Sequence, residues 1–136
     1  MTGSLKDTYE LAVLDRLLGN QTLTPPATWY VALYTVAPAD GTAGTEVSTA
    51  VWTNYARVAV TNNLTNFPSA NPKVNGTPIS WAAATIVGAA PTVVGAALCD
   101  ASTAGNQWIW FSFTGVAVTN TSVFSFANGD LSLGCD

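Results

Sequence analysis

After Gly19 the chain shows no further segment with a convincing helical repeat, and this limits its fold more than any other feature. The residues that follow form short runs rich in Thr, Val and aromatic side chains, separated by Gly, Pro and Asn. Such runs favour β-strands bounded by turns, and their spacing is typical of a β-sandwich or barrel. The predicted strands are Thr28–Thr35, Tyr55–Thr61, Pro78–Ala82, Val93–Cys99, Gln107–Thr114, Ser122–Ala127 and Asp130–Gly134.

The length supports one domain. A chain of 136 residues can bury a sizeable core without disulfides or a metal. We therefore expect a single all-β domain over residues 1–136, an antiparallel β-sandwich with jelly-roll topology. It divides into an N-terminal helix within residues 1–20 and the sandwich in residues 21–136.

The N-terminal segment is predicted to be an amphipathic helix over residues 5–18. Ser4 and Asp7 have the spacing of a capping box, and Gly19 stands where a helix ends. We expect the apolar stripe to pack on its own domain; the alternative is docking on a neighbouring subunit as a helix in a groove. The apolar side chains that recur at steps of three and four are Leu5, Tyr9, Ala12, Val13 and Leu17, with Leu14 and Leu18 beside them.

Two predicted strands are apolar on both faces. Side chains alternate along a strand, so an ordinary antiparallel strand has one apolar and one polar face. In TWYVALYT, one face carries Trp29, Val31 and Leu33, and the other carries Tyr30, Ala32 and Tyr34. In QWIWFSFT, one face carries Trp108, Trp110 and Ser112, and the other carries Ile109, Phe111 and Phe113.

Something must therefore cover the second face of each strand. The helix or a long loop of the same chain is one candidate. Another protein chain is the other, because Trp and Tyr are frequent anchors of protein interfaces. On the second hypothesis the interface residues are Tyr30, Tyr34, Trp108 and Trp110, although alternation does not say which face points outward.

Catalytic chemistry finds little support in this sequence. The chain contains no His, which removes the usual general base and metal ligand. The eight carboxylates show no obvious pairing, so a small hydrolase is a distant alternative. We expect no catalytic residues, no metal and no cofactor, and structural roles for Glu46 and Asp100, such as accepting hydrogen bonds from loop backbone N–H groups.

Charge and hydropathy narrow the range of partners. Four Lys and Arg, scattered singly, stand against eight Asp and Glu, which argues against nucleic acid. The N-terminus lacks the features of a signal peptide, and the run TIVGAAPTVVGAALC is shorter than the roughly 20 apolar residues of a membrane span. We expect no membrane partner. Cys99 and Cys135 leave both a disulfide and reduced thiols open.

Short motifs along nearly the whole chain resemble a family of small phage and prophage virion proteins, labelled tail fibre or head decoration proteins. The motifs are YELAVLDRLLG, TPPATWYVALYTVAP, GTEVS, YARVAVT, NFPSA, NGTPISW, ALCDASTAGN and FANGDLSLGCD. The resemblance implies a virion part that binds other virion proteins and has no active site.

Three functions follow as hypotheses. The first is a capsid cement protein made in the host cytoplasm, placed on the capsid exterior as a homo-oligomer, dimer or trimer, with the major capsid protein as partner. The second is a tail-fibre or receptor-binding module, and the third is the hydrolase. Low charge suits a permanent contact better than a transient one.

Overall fold

The structure, a computed structural model, describes residues 1–134. Within this range the chain forms one helix, α1 (Asp7–Leu18), and ten strands. The strands are β1 (Thr2–Leu5), β2 (Thr28–Val36), β3 (Thr45–Glu46), β4 (Val58–Thr61), β5 (Lys73–Val74), β6 (Ile79–Ser80), β7 (Thr92–Cys99), β8 (Gln107–Ala117), β9 (Ser125–Phe126) and β10 (Ser132–Leu133).

Eight of the strands described belong to one sheet, in the order β3-β2-β7-β8-β1-β10-β5, with β4 also paired to β2. The three long strands β2, β7 and β8 form its antiparallel centre. β4 pairs with the first half of β2 and β3 with its end. β1 is antiparallel to β8 and parallel to β10, so the N-terminus is built into the sheet.

The main core lies on one face of this sheet. Trp29, Val31 and Leu33 of β2 point into it, together with Phe111 of β8. The small β6–β9 sheet contributes Ile79 and Phe126 to the same core. Their burial holds the two sheets together, since removing apolar area from water is the main driving force of folding.

The fold class is confirmed: the protein is all-β, mainly antiparallel and consistent with a sandwich, with a short N-terminal helix. Each of the seven predicted segments contains a strand. β1, β3 and β5, of two to four residues, were not expected; β1 lies just where the helix was predicted to begin. The jelly-roll topology stays a prediction.

The helix differs from its prediction in two ways. It begins at Asp7 with Lys6 as its N-cap residue, and Ser4 belongs to β1 instead of capping the helix. Gly19 does end it, donating its N–H to the Asp15 carbonyl. The expectation that the apolar stripe packs on its own domain holds in part: Tyr9, Ala12 and Val13 are partly buried and Tyr9 stacks on Trp108, whereas Leu17 is exposed. No helix in residues 1–134 is long and apolar enough to cross a bilayer.

A β-bulge corrects the predicted faces of β8. Leu98 pairs with Ile109, whereas Cys99 pairs with Gln107, so Trp108 is an extra residue opposite β7. Trp108 consequently packs against the main core beside Trp29 instead of sharing a face with Trp110. A one-residue insertion of this kind breaks the period of two on which the sequence interpretation depended.

Candidate functional site

The second face of the central strands carries a small apolar cluster of its own. We call it the second-face cluster; its buried members are Ala32, Tyr34, Ala97 and Cys99, with Tyr30 partly buried beside them. Tyr34 is only 2% exposed. The apolar second face of TWYVALYT is therefore largely closed within this chain. Cys135 lies outside the described residues, and so does its pairing with Cys99.

Residues 39–43 form part of the cover over this cluster. The Gln107 side chain donates from Nε2 to the Tyr34 hydroxyl at 2.8 Å and to the Ala43 carbonyl at 2.7 Å. Lys6 Nζ donates to the carbonyls of Ala39 and Thr42 and fixes the turn between them. Burial raises the pKa of Tyr34, and the nearby Cys99 and Glu46 raise it further.

Arg57 closes the rest of the cluster. Its guanidinium binds both carboxylate oxygens of Glu46, at 2.9 and 2.8 Å, and donates to the carbonyls of Ala101 and Ala104 at 2.8 and 2.7 Å. Its side chain is 8% exposed. The hydrogen bonds to Glu46 raise the pKa of Arg57 although burial opposes them, so it stays charged. Arg57 thus ties β3 and the loop before β8 to the sheet.

The four predicted interface aromatics occupy different environments. Tyr30 and Trp110 are partly buried on the second face, and Trp110 Nε1 donates to Asp40 Oδ1 at 2.8 Å. Tyr34 is buried beneath Gln107. Trp108 lies on the other side, where its ring stacks on Tyr9 of α1 with centroids 3.8 Å apart. The structure does not bring the four together, and their contact with another chain stays a prediction.

The carboxylates singled out from the sequence have structural contacts. Asp100 accepts from the backbone N–H of Asn106 at 2.7 Å, as expected, and from its side chain at 2.9 Å. Burial alone raises the pKa of Asp100, but the hydrogen bonds from Asn106 and Trp108 outweigh it and lower the pKa below the ordinary value. Glu46 holds Arg57 and Tyr55 instead of backbone N–H groups.

The described residues also contain no group of three or more His, Cys, Asp or Glu able to hold a metal. A nearby Arg57 charge lowers the pKa of the Cys99 thiol, but burial dominates and raises it. A buried thiol with a raised pKa is a poor nucleophile. The contacts of Glu46 and Asp100 are therefore structural: they hold loops against the sheet.

Exposed apolar surface is found on α1. We define the leucine stripe as Leu11, Leu14 and Leu18, which are 60%, 53% and 88% exposed. Leu17, at 72%, lies beside it. Contiguous exposed apolar patches on a folded protein can mark interaction sites.

A second apolar surface is a groove on the main face of the sheet, near its β5–β10 edge. Its volume is about 440 Å³. Trp29, Ile109 and Phe111 form part of its wall, and Leu64 stands exposed at its side. Its lining is mostly apolar and half enclosed, and the core residues Trp29 and Phe111 in its wall are only 6% and 2% exposed. We call it the apolar groove.

The sequence interpretation placed Leu14, Leu17 and Leu18 in or beside the helical repeat but identified neither Leu11 nor the groove. The exposure of these leucines depends on what the rest of the chain leaves uncovered. The groove combines β2, β5, β7, β8, β10 and the loop after β4. No short sequence pattern predicts that segments so far apart in the chain line one groove.

Comparison with known proteins gives one family. A family model described as the podophage GP4 fiber I protein gp80 matches residues 4–134, nearly the whole chain. No curated protein matches it. The predicted resemblance to phage virion proteins is confirmed, and the match is to a fibre protein instead of a head decoration protein. This chain belongs to the family of the podophage GP4 fiber I protein gp80 and is a phage virion structural protein of the tail-fibre type.

Proposed function

We propose that this protein is a structural subunit of a phage tail fibre and acts by binding other virion proteins, without catalysis. The family match over residues 4–134 carries this proposal. It favours the tail-fibre hypothesis over capsid cement, so binding to the major capsid protein on the capsid exterior becomes the competing hypothesis.

The architecture supports a structural role. Glu46 is held by Arg57, and Asp100 by Asn106, so these carboxylates stabilise the second-face cover. The leucine stripe remains open to solvent, and exposed leucines of this kind suit a permanent contact inside an assembly.

Electron microscopy of virions tests where the protein sits. A small peptide tag inserted between Ala89 and Ala90, both exposed, gives a site for gold labelling away from the main core. We expect gold at the tail, and untagged virions serve as the control. Gold distributed over the capsid would overturn the tail-fibre proposal in favour of cement.

A turnover assay tests the absence of catalysis. The purified protein is expected to leave glycan and ester substrates unchanged. Hydrolysis that disappears in Glu46→Gln or Asp100→Asn, while both variants remain folded by circular dichroism, would show an enzyme instead.

A further inference from the structure

The side of α1 that contacts the domain lies opposite the leucine stripe. A helix turns about 100° per residue, so Tyr9, Ala12 and Val13 share one side. These three are the partly buried residues of α1, and the Tyr9 ring stacks on Trp108. By the same turn the leucine stripe falls about 180° away. The contacts that attach α1 to the sheet therefore direct the three leucines outward.

α1 presents this outward side as an already formed helix. β1, which directly precedes it, is paired with β8. At the other end of the helix, the N–H groups of Gly19 and Gln21 donate to the Asp15 carbonyl. A partner therefore does not have to order the segment when it binds, which lowers the cost of association.

Three carboxylates border the leucine stripe. Glu10 and Asp15 lie on its two sides, and Asp7 is in line with it at the start of the helix. All three residues are exposed. Arg16, the one basic residue of α1, falls on the opposite side of the helix. The outward side is thus apolar at its centre and negative at its border.

A second copy of this chain does not match such a surface. An apolar face with an acidic border is complementary to an apolar face with Lys or Arg around it. The chain has four Lys and Arg in all. Lys6 and Lys73 each donate to two backbone carbonyls, and Arg57 is paired with a carboxylate. Arg16 is the fourth. Two copies would also bring together chains that each have a net charge of −4.

We propose that the leucine stripe docks into an apolar groove on a different virion protein, with Lys or Arg at the border of that groove opposite Asp7, Glu10 and Asp15. This deepens the tail-fibre proposal and rests on it for the partner being a virion protein. The leucines act as anchors at positions i, i+3 and i+7 of a helix bound in a groove. The carboxylates set the orientation of the helix and select the partner by charge.

Photocross-linking in intact virions tests the identity of the partner. p-Benzoylphenylalanine replaces Leu14, and virions that contain the labelled protein are irradiated, digested and analysed by mass spectrometry. We expect a cross-link to a different virion protein, at a surface that carries Lys or Arg. The same label at Val87, an exposed apolar residue elsewhere, should not give this product. If the label at Leu14 prevents incorporation, it is moved to Leu17, which is exposed beside the stripe.

Charge reversal tests the acidic border. Glu10→Lys with Asp15→Lys keeps the leucines but should lower the amount of this protein per virion at least about tenfold, since lysines would repel a basic border. Ala89→Lys with Ala90→Lys, at two exposed loop positions, should leave the amount unchanged. Changing the Lys or Arg beside the cross-link in the partner to Glu should restore incorporation of the charge-reversed variant.

Circular dichroism checks that each variant is folded. A charge-reversed variant that unfolds is replaced by Glu10→Gln with Asp15→Asn, which should lower the amount per virion by a smaller factor. The amount is measured by quantitative mass spectrometry of purified virions.

Four results would overturn the inference: a cross-link from the stripe to a second copy of this chain, no cross-link to any virion protein, a cross-linked surface without Lys or Arg, or normal incorporation of a folded charge variant. None of them depends on where the protein sits. Gold on the capsid would remove the tail-fibre proposal and leave a basic-bordered partner in place. Gold at the tail with a cross-link between two copies would do the reverse.

Discussion

The central sheet and α1 use the same kind of sequence pattern with opposite outcomes. β2 is apolar on both faces, and both faces are largely covered by the same chain. α1 is apolar along one stripe, and none of its residues is buried. The pattern therefore identifies the surface that must be covered but leaves open what covers it.

The difference follows from what each element meets in the fold. Residues 39–43 and Arg57 lie over the second face of β2 because Gln107, Glu46 and Lys6 hold them there. α1 leaves the sheet directly after β1 and packs back through Tyr9 on Trp108. Its outer leucines consequently remain exposed to solvent.

The largest expected effect is on the main core. Phe111→Ala should lower the free energy of unfolding by about 3 to 5 kcal/mol, because it opens a cavity under the centre of the sheet. Denaturant unfolding measures this. Trp110→Ala, one residue earlier and partly exposed, should cost about 1 to 2 kcal/mol, from one hydrogen bond and some apolar area. Equal losses would mean that both faces of β8 are buried alike.

The second expected effect is on the cover over the second face. Arg57→Met should cost about 2 to 3 kcal/mol, because Glu46 and two loop carbonyls lose their partner. The value falls below that of a fully buried pair because the Glu46 side chain is 30% exposed. Arg16→Met on α1 is the matched control, with almost no change in unfolding free energy. If Arg57→Met leaves the free energy of unfolding unchanged, the loops over the second face keep their positions without Arg57.

A smaller effect concerns pH. The pKa of Asp100 is lower in the folded protein than its ordinary value of 3.8. Its contribution is therefore fully present above about pH 4 and is lost as the pH falls through the folded pKa. Asp100→Asn should cost about 1 kcal/mol at pH 7 and flatten the acid side of the stability curve. An unchanged acid slope in urea unfolding between pH 2 and 7 would assign that slope to other carboxylates.

The smallest expected effect is on the stripe of the dilute, unassembled protein. Leu14→Ser should change the free energy of unfolding by less than about 0.5 kcal/mol, because the side chain is already exposed. Leu33→Ala in β2 should cost about 2 to 5 kcal/mol in the same measurement. A loss above about 1 kcal/mol for Leu14→Ser would show that the outer leucines also pack on their own domain, which would remove the contrast between helix and sheet.

Much of the fold could be predicted because its signals are local. β2 and β8 are long runs rich in aromatic and β-branched residues, β7 is a continuous apolar run, and α1 has a clear helical repeat before Gly19. The faces of β2 were correctly divided, since no bulge interrupts its pairing with β7. In β8 the same alternation assigned Trp108 to the wrong face, because the bulge adds one residue to the strand. Nothing in the local composition indicates such a bulge.

The amino-acid sequence by itself determined the β-rich fold, the amphipathic helix and the resemblance to phage virion proteins, since each depends on neighbouring residues and short motifs. The tertiary structure decided which apolar surfaces are covered. That outcome depends on contacts between residues far apart in the chain, such as Gln107 with Ala43 and Arg57 with Ala104. Burial is a property of where distant segments meet, so the same spacing of apolar residues can end in a core or on an exposed surface.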